Sequence, residues 1–116
     1  MLFICYPKCS TCRKAREWLD SRGISYRERN IREQNPTARE LRLWQQKSGL
    51  PLRRFFNTSG LAYRSAGLKD RLPGMTEDEQ LALLASDGML VRRPLLLTED
   101  TVLVGFRADE WSKALK

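Results

Sequence analysis

The sequence predicts an α/β fold in which a β-α-β unit and a β-β-α unit are separated by a helical insertion. Three observations carry that expectation. The apolar run Leu2-Phe3-Ile4-Cys5-Tyr6, stopped by Pro7, has the composition of a strand buried on both faces. From Thr11 to Arg22 the apolar residues Cys12, Ala15, Trp18 and Leu19 return at three- and four-residue spacing, a helical stripe that Gly23 ends. Toward the far end, Leu95-Leu96-Leu97 and Val102-Leu103-Val104, joined by the polar segment Thr98 to Thr101, read as a hairpin.

The remaining elements follow in order. Ile24 to Ile31 sets two isoleucines and Tyr26 among charges and reads as the second strand, completing a β-α-β unit with its right-handed crossover. Asn35-Pro36-Thr37 offers an N-cap followed by a helix-compatible proline. Ala38, Leu41 and Trp44 then line one face of a helix that ends near Gly49. Leu50 to Gly60 reads as irregular, Ala62 to Leu72 as a short helix broken by Gly67, and Pro73-Gly74 as a turn. Thr76-Glu77-Asp78-Glu79 resembles a capping box, opening a helix whose Leu81, Leu84 and Ala85 face inward and which stops near Gly88. Ala108, Trp111 and Leu115 mark a last helix. Trp18, Trp44 and Trp111 all fall on apolar helix positions, which assigns them to packing.

Composition bounds what such a fold can do. At 116 residues there is room for one domain spanning 1–116, with halves of about 1–34 and 89–116 around an insertion of about 35–88. An apolar share of 41% and a charged share of 30% are those of an ordinary globular chain, not a disordered one. No apolar run approaches the ~20 residues that span a bilayer, and Leu2 to Tyr6 is too short for a signal-peptide core, so a cytoplasmic protein with no membrane partner is expected. Thiols stay reduced in that compartment, and three cysteines there argue for redox chemistry over a disulfide framework.

The net charge of +7 is scattered among acids and reads as a solvated basic surface. Nothing resembles a helix-turn-helix or a basic groove with interleaved aromatics, so direct DNA binding is not expected. The absence of histidine removes Cys-His dyads, Ser-His-Asp triads and histidine metal sites together. Three cysteines are too few for a Cys₄ zinc site within one chain. No metal and no tightly bound cofactor are expected.

Chemistry therefore converges on Cys9-Ser10-Thr11-Cys12, placed where the first strand ends and the first helix begins. The first turn of a helix leaves amide N–H groups unpaired and carries about half a positive charge, which stabilises a thiolate. Lys8 and Arg13 push the same way, and a CxxC thiol at such a place can fall from about 8.5 toward 3.5–7.5. Cys9 is the attacking sulfur. Cys12, one turn on, is suited to resolve a mixed disulfide by intramolecular attack. Ser10 and Thr11 can donate to a bound oxyanion or cap the helix. Cys5, inside the apolar strand, reads as a core cysteine.

With Tyr6-Pro7-Lys8-Cys9-Ser10-Thr11-Cys12-Arg13-Lys14-Ala15 in hand, the chain resembles the ArsC/Spx family of thioredoxin-fold proteins over its whole length. Leu90-Val91-Arg92-Arg93-Pro94-Leu95-Leu96 before the hairpin and Val104-Gly105-Phe106-Arg107 after it belong to the same pattern. The resemblance implies a glutaredoxin-like mixed four-stranded sheet with the insertion packed at one side. It also implies a cis peptide before Pro94 facing the cysteines; the lesser alternative for Pro94 is edge-strand punctuation. Arsenate-reducing members surround one cysteine with three arginines, which would fall here on Arg53, or Arg54 after a one-residue slip, with Arg93 and Arg107. Arginine forks grip tetrahedral oxyanions bidentately.

The cysteine at position 12 departs from the arsenate-reducing pattern and is shared with Spx-like regulators and a reductase branch, which Phe55-Phe56-Asn57-Thr58-Ser59-Gly60 resembles most. A helix-ending turn with Ser/Thr side chains on the local backbone accounts for that segment equally well. The resemblance implies a thiol-dependent oxidoreductase, arsenate reductase-like, acting on an oxyanion or a thiol adduct. Glutathione, glutaredoxin or thioredoxin would be its reductant. The alternative is an Spx-like redox-sensing regulator that binds the RNA polymerase alpha subunit. Arg107 favours the enzyme, because Spx-like chains tend to lack arginine there.

Overall fold

The computed structural model describes residues 1–115. In chain order the elements are β1 (Leu2–Cys5), α1 (Ser10–Ser21), β2 (Arg27–Asn30), α2 (Ala38–Ser48), α3 (Leu61–Ser65), α4 (Leu68–Arg71), α5 (Glu77–Ser86), β3 (Leu95–Leu97), β4 (Val102–Val104) and α6 (Ala108–Ala114). Short 3₁₀ turns lie at Leu52–Phe55, Leu72–Gly74 and Gly88–Leu90. The strands form one sheet in the order β2-β1-β3-β4, with β1 parallel to β2 and antiparallel to β3, and β3 antiparallel to β4. This is the mixed four-stranded α/β sheet the sequence predicts.

The two-residue period of β1 sends its side chains into different layers. Phe3 and Cys5 join Cys12, Ala15 and Leu19 of α1, Leu96 of β3 and Trp111 of α6 in one buried cluster. Ile4 instead enters the cluster built by the insertion, with Leu41, Trp44, Phe55, Phe56, Leu68 and Leu84 among its members. Trp111 anchors the first layer: its ring meets Phe106, Trp18 and Phe3 edge to face at 4.9, 5.9 and 6.4 Å. Its indole N–H donates to the Gly105 carbonyl at 3.0 Å, so the one polar atom of a buried ring is satisfied.

Several local expectations change. The second strand covers only Arg27–Asn30, because Ile24 donates its amide to the Leu19 carbonyl at 3.1 Å and so belongs to the end of α1. The N-cap of α2 is Thr37, not Asn35. Thr37 Oγ1 accepts from the Glu40 amide at 3.1 Å while Glu40 Oε1 accepts from the Thr37 amide at 3.0 Å, a full capping box. Asn35 Nδ2 spans to the Ala85 carbonyl at 2.6 Å, tying β2's exit to α5. The segment expected to be irregular contains the Leu52–Phe55 turn and a bridge from Phe56 to Val91. Ala85 is only half-buried, and on α6 Ala108 is exposed, leaving Trp111 as that helix's buried residue. Among the described residues no helix is long and apolar enough to cross a membrane.

Candidate active site

Pro7 and Lys8 turn the chain out of β1, and the Cys9 amide closes that turn on the Tyr6 carbonyl at 2.9 Å. Cys9 is the N-cap of α1, extended at φ −89° and ψ 123°, and its carbonyl accepts the first helical bond, from Arg13, at 3.1 Å. Its sulfur is half-buried and opens on a cleft of about 570 Å³. Lys8, Ser10 and Thr11 form the near wall, Arg92, Arg93 and Gly105 the sheet-side wall, and Asn57, Ser59 and Gly60 the wall supplied by the insertion.

Opposing effects act on this thiol. Burial pushes it up, but the amides of Cys12 and Thr11, the Cys12 thiol and the Arg93 charge outweigh burial and hold Cys9 below the ordinary thiol value. One turn on, Cys12 is buried and accepts a hydrogen bond from the Tyr6 amide at 3.4 Å. The Cys5 thiol, burial and the neighbouring Cys9 push Cys12 strongly up, so it stays protonated when Cys9 is ionised. Cys5 lies in the core as expected, and it also receives Arg16 Nη2 at 3.5 Å, the same guanidinium that pairs with Glu28 at 2.8 Å. The three cysteines are free thiols.

The expected residues divide by location. Ser10 and Thr11 stand in the cleft beside Cys9. Arg93 lines it too, its guanidinium 5.5 Å above the Tyr6 ring and its Nη1 donating to the Met89 and Val91 carbonyls at 3.3 Å, with Nε buried and unpaired. The Arg93–Pro94 peptide is cis. Arg53 is not among the residues that line the cleft. The Leu52–Phe55 turn buries Leu52 and Phe55, which aims Arg53 and Arg54 outward to a neighbouring cavity. Arg107, exposed at the N-cap of α6, is not among the residues that line the cleft either.

A profile of the ArsC family matches residues 5–114. The chain belongs to the ArsC family. It is 51% identical to the uncharacterized protein YusI of Bacillus subtilis, over 97% of this chain and 96% of that one. A crystal structure of an ArsC family related protein from Bacteroides fragilis superposes with a TM-score of 0.94 at 54% identity, covering 97% of this chain and 94% of that one. A possible arsenate reductase from Streptococcus mutans follows at TM-score 0.86 and 46% identity, covering 96% of each chain. Regulators are more distant: Spx 2 of Bacillus cereus is 32% identical, over 92% of this chain and 80% of the regulator.

Within this ArsC-family site, sequence reasoning missed Arg92 as a wall residue and Gly105 as its counterpart. Gly105 has φ 75°, and a Cβ there would lie 2.8 Å from Arg92 Nε, so a side chain would be strained and would displace the guanidinium. The signal was the Arg-Arg-Pro triplet, in which either arginine could face the cleft. Asn57, Ser59 and Gly60 were visible as part of a segment resembling a reductase branch, or as a turn, but not as a wall of the cleft. Among the described residues no group of three His, Cys, Asp or Glu could hold a metal ion.

Proposed function

We propose that this chain is a thiol-dependent oxidoreductase in which Cys9 attacks a sulfur-linked adduct and Cys12 resolves it. The observation that supports the reading most is the unequal treatment of two thiols one helical turn apart: Cys9 is accessible and held low, Cys12 buried and held high. In the first step the Cys9 thiolate bonds to one sulfur of a disulfide, and the other sulfur leaves as a thiolate with the electron pair of the broken bond. Cys12 then gives up its proton to the departing thiolate and attacks Cys9, forming the Cys9–Cys12 disulfide and releasing the second thiol. An external dithiol or two monothiols, of the thioredoxin, glutaredoxin or glutathione class, return two electrons and restore the enzyme. Such a cycle fits a cytoplasmic protein.

A sulfur-linked adduct is favoured over arsenate as substrate. Arg93 and Arg92 line the Cys9 cleft, whereas Arg53 lines the neighbouring cavity and Arg107 lines neither, so the cleft lining itself supplies two arginines. The likeness to a possible arsenate reductase keeps the oxyanion in the comparison. The experiment offers arsenate and low-mass disulfides in parallel to an NADPH-coupled assay with thioredoxin or glutathione as reductant. The expected result is disulfide turnover that Cys9→Ser removes and that Cys12→Ser halts at a trapped Cys9 adduct seen by mass spectrometry. Turnover with arsenate alone, or disulfide turnover that survives Cys9→Ser, overturns the reading. The similarity to Spx 2 supports a second reading, a redox-sensing regulator. Redox-dependent capture of the RNA polymerase alpha subunit, with no turnover, is its signature.

A further inference from the structure

Beside the thiol cleft lies a second cavity, of about 510 Å³, cut into the insertion. Its walls carry four cations, Arg53, Arg54, Lys69 and Arg92, and no carboxylate among the described residues. The ion pairs found among the described residues lie elsewhere, at Arg16–Glu28, Arg29–Glu40 and Arg42–Asp78. The apolar part of the lining is Tyr63 and Met75, half-buried, backed by the buried Phe56 and Leu72, with the Phe56 and Tyr63 rings edge to face at 6.3 Å. A surface shaped only for solubility intersperses both signs of charge. Four uncompensated cations around an apolar floor repel one another, and an anion with an apolar body relieves that repulsion.

Arg92 belongs to both spaces, since it also lines the cleft that holds Cys9. Its amide donates to the Phe55 carbonyl at 2.7 Å and the neighbouring Val91 bridges Phe56, so the partition between the spaces is hydrogen-bonded backbone. Gly105 leaves the room its guanidinium needs on the cleft side. A ligand that touches Arg92 can thus extend from the sulfur of Cys9 into the insertion.

We propose that the insertion cavity binds the polyanionic tail of the disulfide or thiol adduct whose reacting sulfur meets Cys9. Carboxylates or phosphates of the tail meet Arg53, Arg54, Lys69 and Arg92, and its apolar part rests on the half-buried Tyr63 and Met75. The proposal deepens the reading of Cys9 as a nucleophile toward sulfur, and it rests on that reading for the reacting end. Cys9 Sγ bonds to the tail-bearing sulfur, the substrate S–S bond breaks, and the sulfur without contacts in the cavity leaves as the thiolate.

The test compares kcat/KM for three disulfides: neutral 2-hydroxyethyl disulfide, oxidised glutathione with its carboxylates, and coenzyme A disulfide with its phosphates. At low salt the anionic substrates are expected to react faster than the neutral one, an advantage that added salt erodes. Arg54→Glu and Lys69→Glu should each lower the anionic-to-neutral ratio by about three- to tenfold. The larger loss, with glutathione or with coenzyme A, tells carboxylate from phosphate. An unaltered ratio in both variants overturns the proposal. A second arm measures binding of the unreactive S-methyl thioethers of glutathione and coenzyme A to the Cys9→Ser protein by calorimetry. Binding that both charge reversals weaken supports the cavity even if no disulfide reacts with Cys9, in which case only the nucleophile reading falls. If neither thioether binds, the cavity proposal falls whatever Cys9 does.

Discussion

On the α1 face of the sheet the buried cluster is small, holds Cys5 and Cys12 with Cys9 packed at its margin, and is braced by edge-to-face rings around Trp111. On the insertion face the cluster is larger, is led by leucines with Phe55, Phe56 and Trp44, and contains no thiol. The contrast shows how one sheet serves two purposes. Aromatic pairs with defined geometry brace α1 at Trp18 and β1 at Phe3 against Trp111 of α6, and a small displacement of α1 would change the amides that face Cys9 at its start. Adaptable aliphatic packing suffices on the other face, whose task is to carry cavity walls and arginines to the rim.

The sharpest way to break this contrast is to empty each face in turn. Trp111→Ala should cost about 3–5 kcal/mol and Leu84→Ala about 2–5 kcal/mol, read from urea midpoints. Trp111→Phe, which keeps a ring but loses the bond to the Gly105 carbonyl, should cost less than the alanine variant. The discriminating readout is the rate of Cys9 alkylation by iodoacetamide against pH. Its midpoint, below the ordinary thiol value in the parent protein, should move in the Trp111 variants and stay in Leu84→Ala. Equal shifts from both faces would show that the division of labour does not exist.

A smaller effect is expected where the insertion is clamped to the sheet. A Cβ on Gly88 would press into the Ile31 carbonyl and the Asn35 side chain, so Gly88→Ala should destabilise by about 1–3 kcal/mol. Because the clamp lies on the insertion face, Cys9 alkylation should keep its pH midpoint in this variant. The smallest effect concerns Glu40, whose carboxyl the Arg29 guanidinium and the Thr37 cap hold down at about 2. A folded value below the unfolded one, about 4.3, means a contribution that is complete above the unfolded value and lost as pH falls toward 2. Partial exposure limits its size to under about 1 kcal/mol. Urea midpoints of the parent and Glu40→Gln should therefore differ at neutral pH and converge in acid.

Elements with a strong period were legible in the sequence. The apolar run of β1, the stripe of α1 and the Thr76–Glu79 box lead to the strand, helix and cap that form. The Thr37–Glu40 box carries the same spacing, but the adjacent Asn35-Pro36 pair offered a competing cap, and only the distant contact from Asn35 to Ala85 decides between them. The position of Cys9 at a helix start was legible because strand end and helix onset bracket it. Which arginines line its cleft was not, since that depends on the burial of Leu52 and Phe55 in a short turn with no periodicity of its own. The contact of Cys5 with Cys12 was likewise hidden, because a core position says which layer a thiol occupies and not which neighbour it touches.

The outermost strand β2 has the sequence Arg-Glu-Arg-Asn, and the opposite border β4 is only three residues long. A foreign strand approaching β2 would have to settle its own side chains beside Arg27 and Arg29 on one face and Glu28 and Asn30 on the other, and along β4 it would find too little ladder to grip. Both borders of the sheet therefore disfavour strand addition from a second molecule, which leaves the cysteine-bearing end as the place where partners can dock.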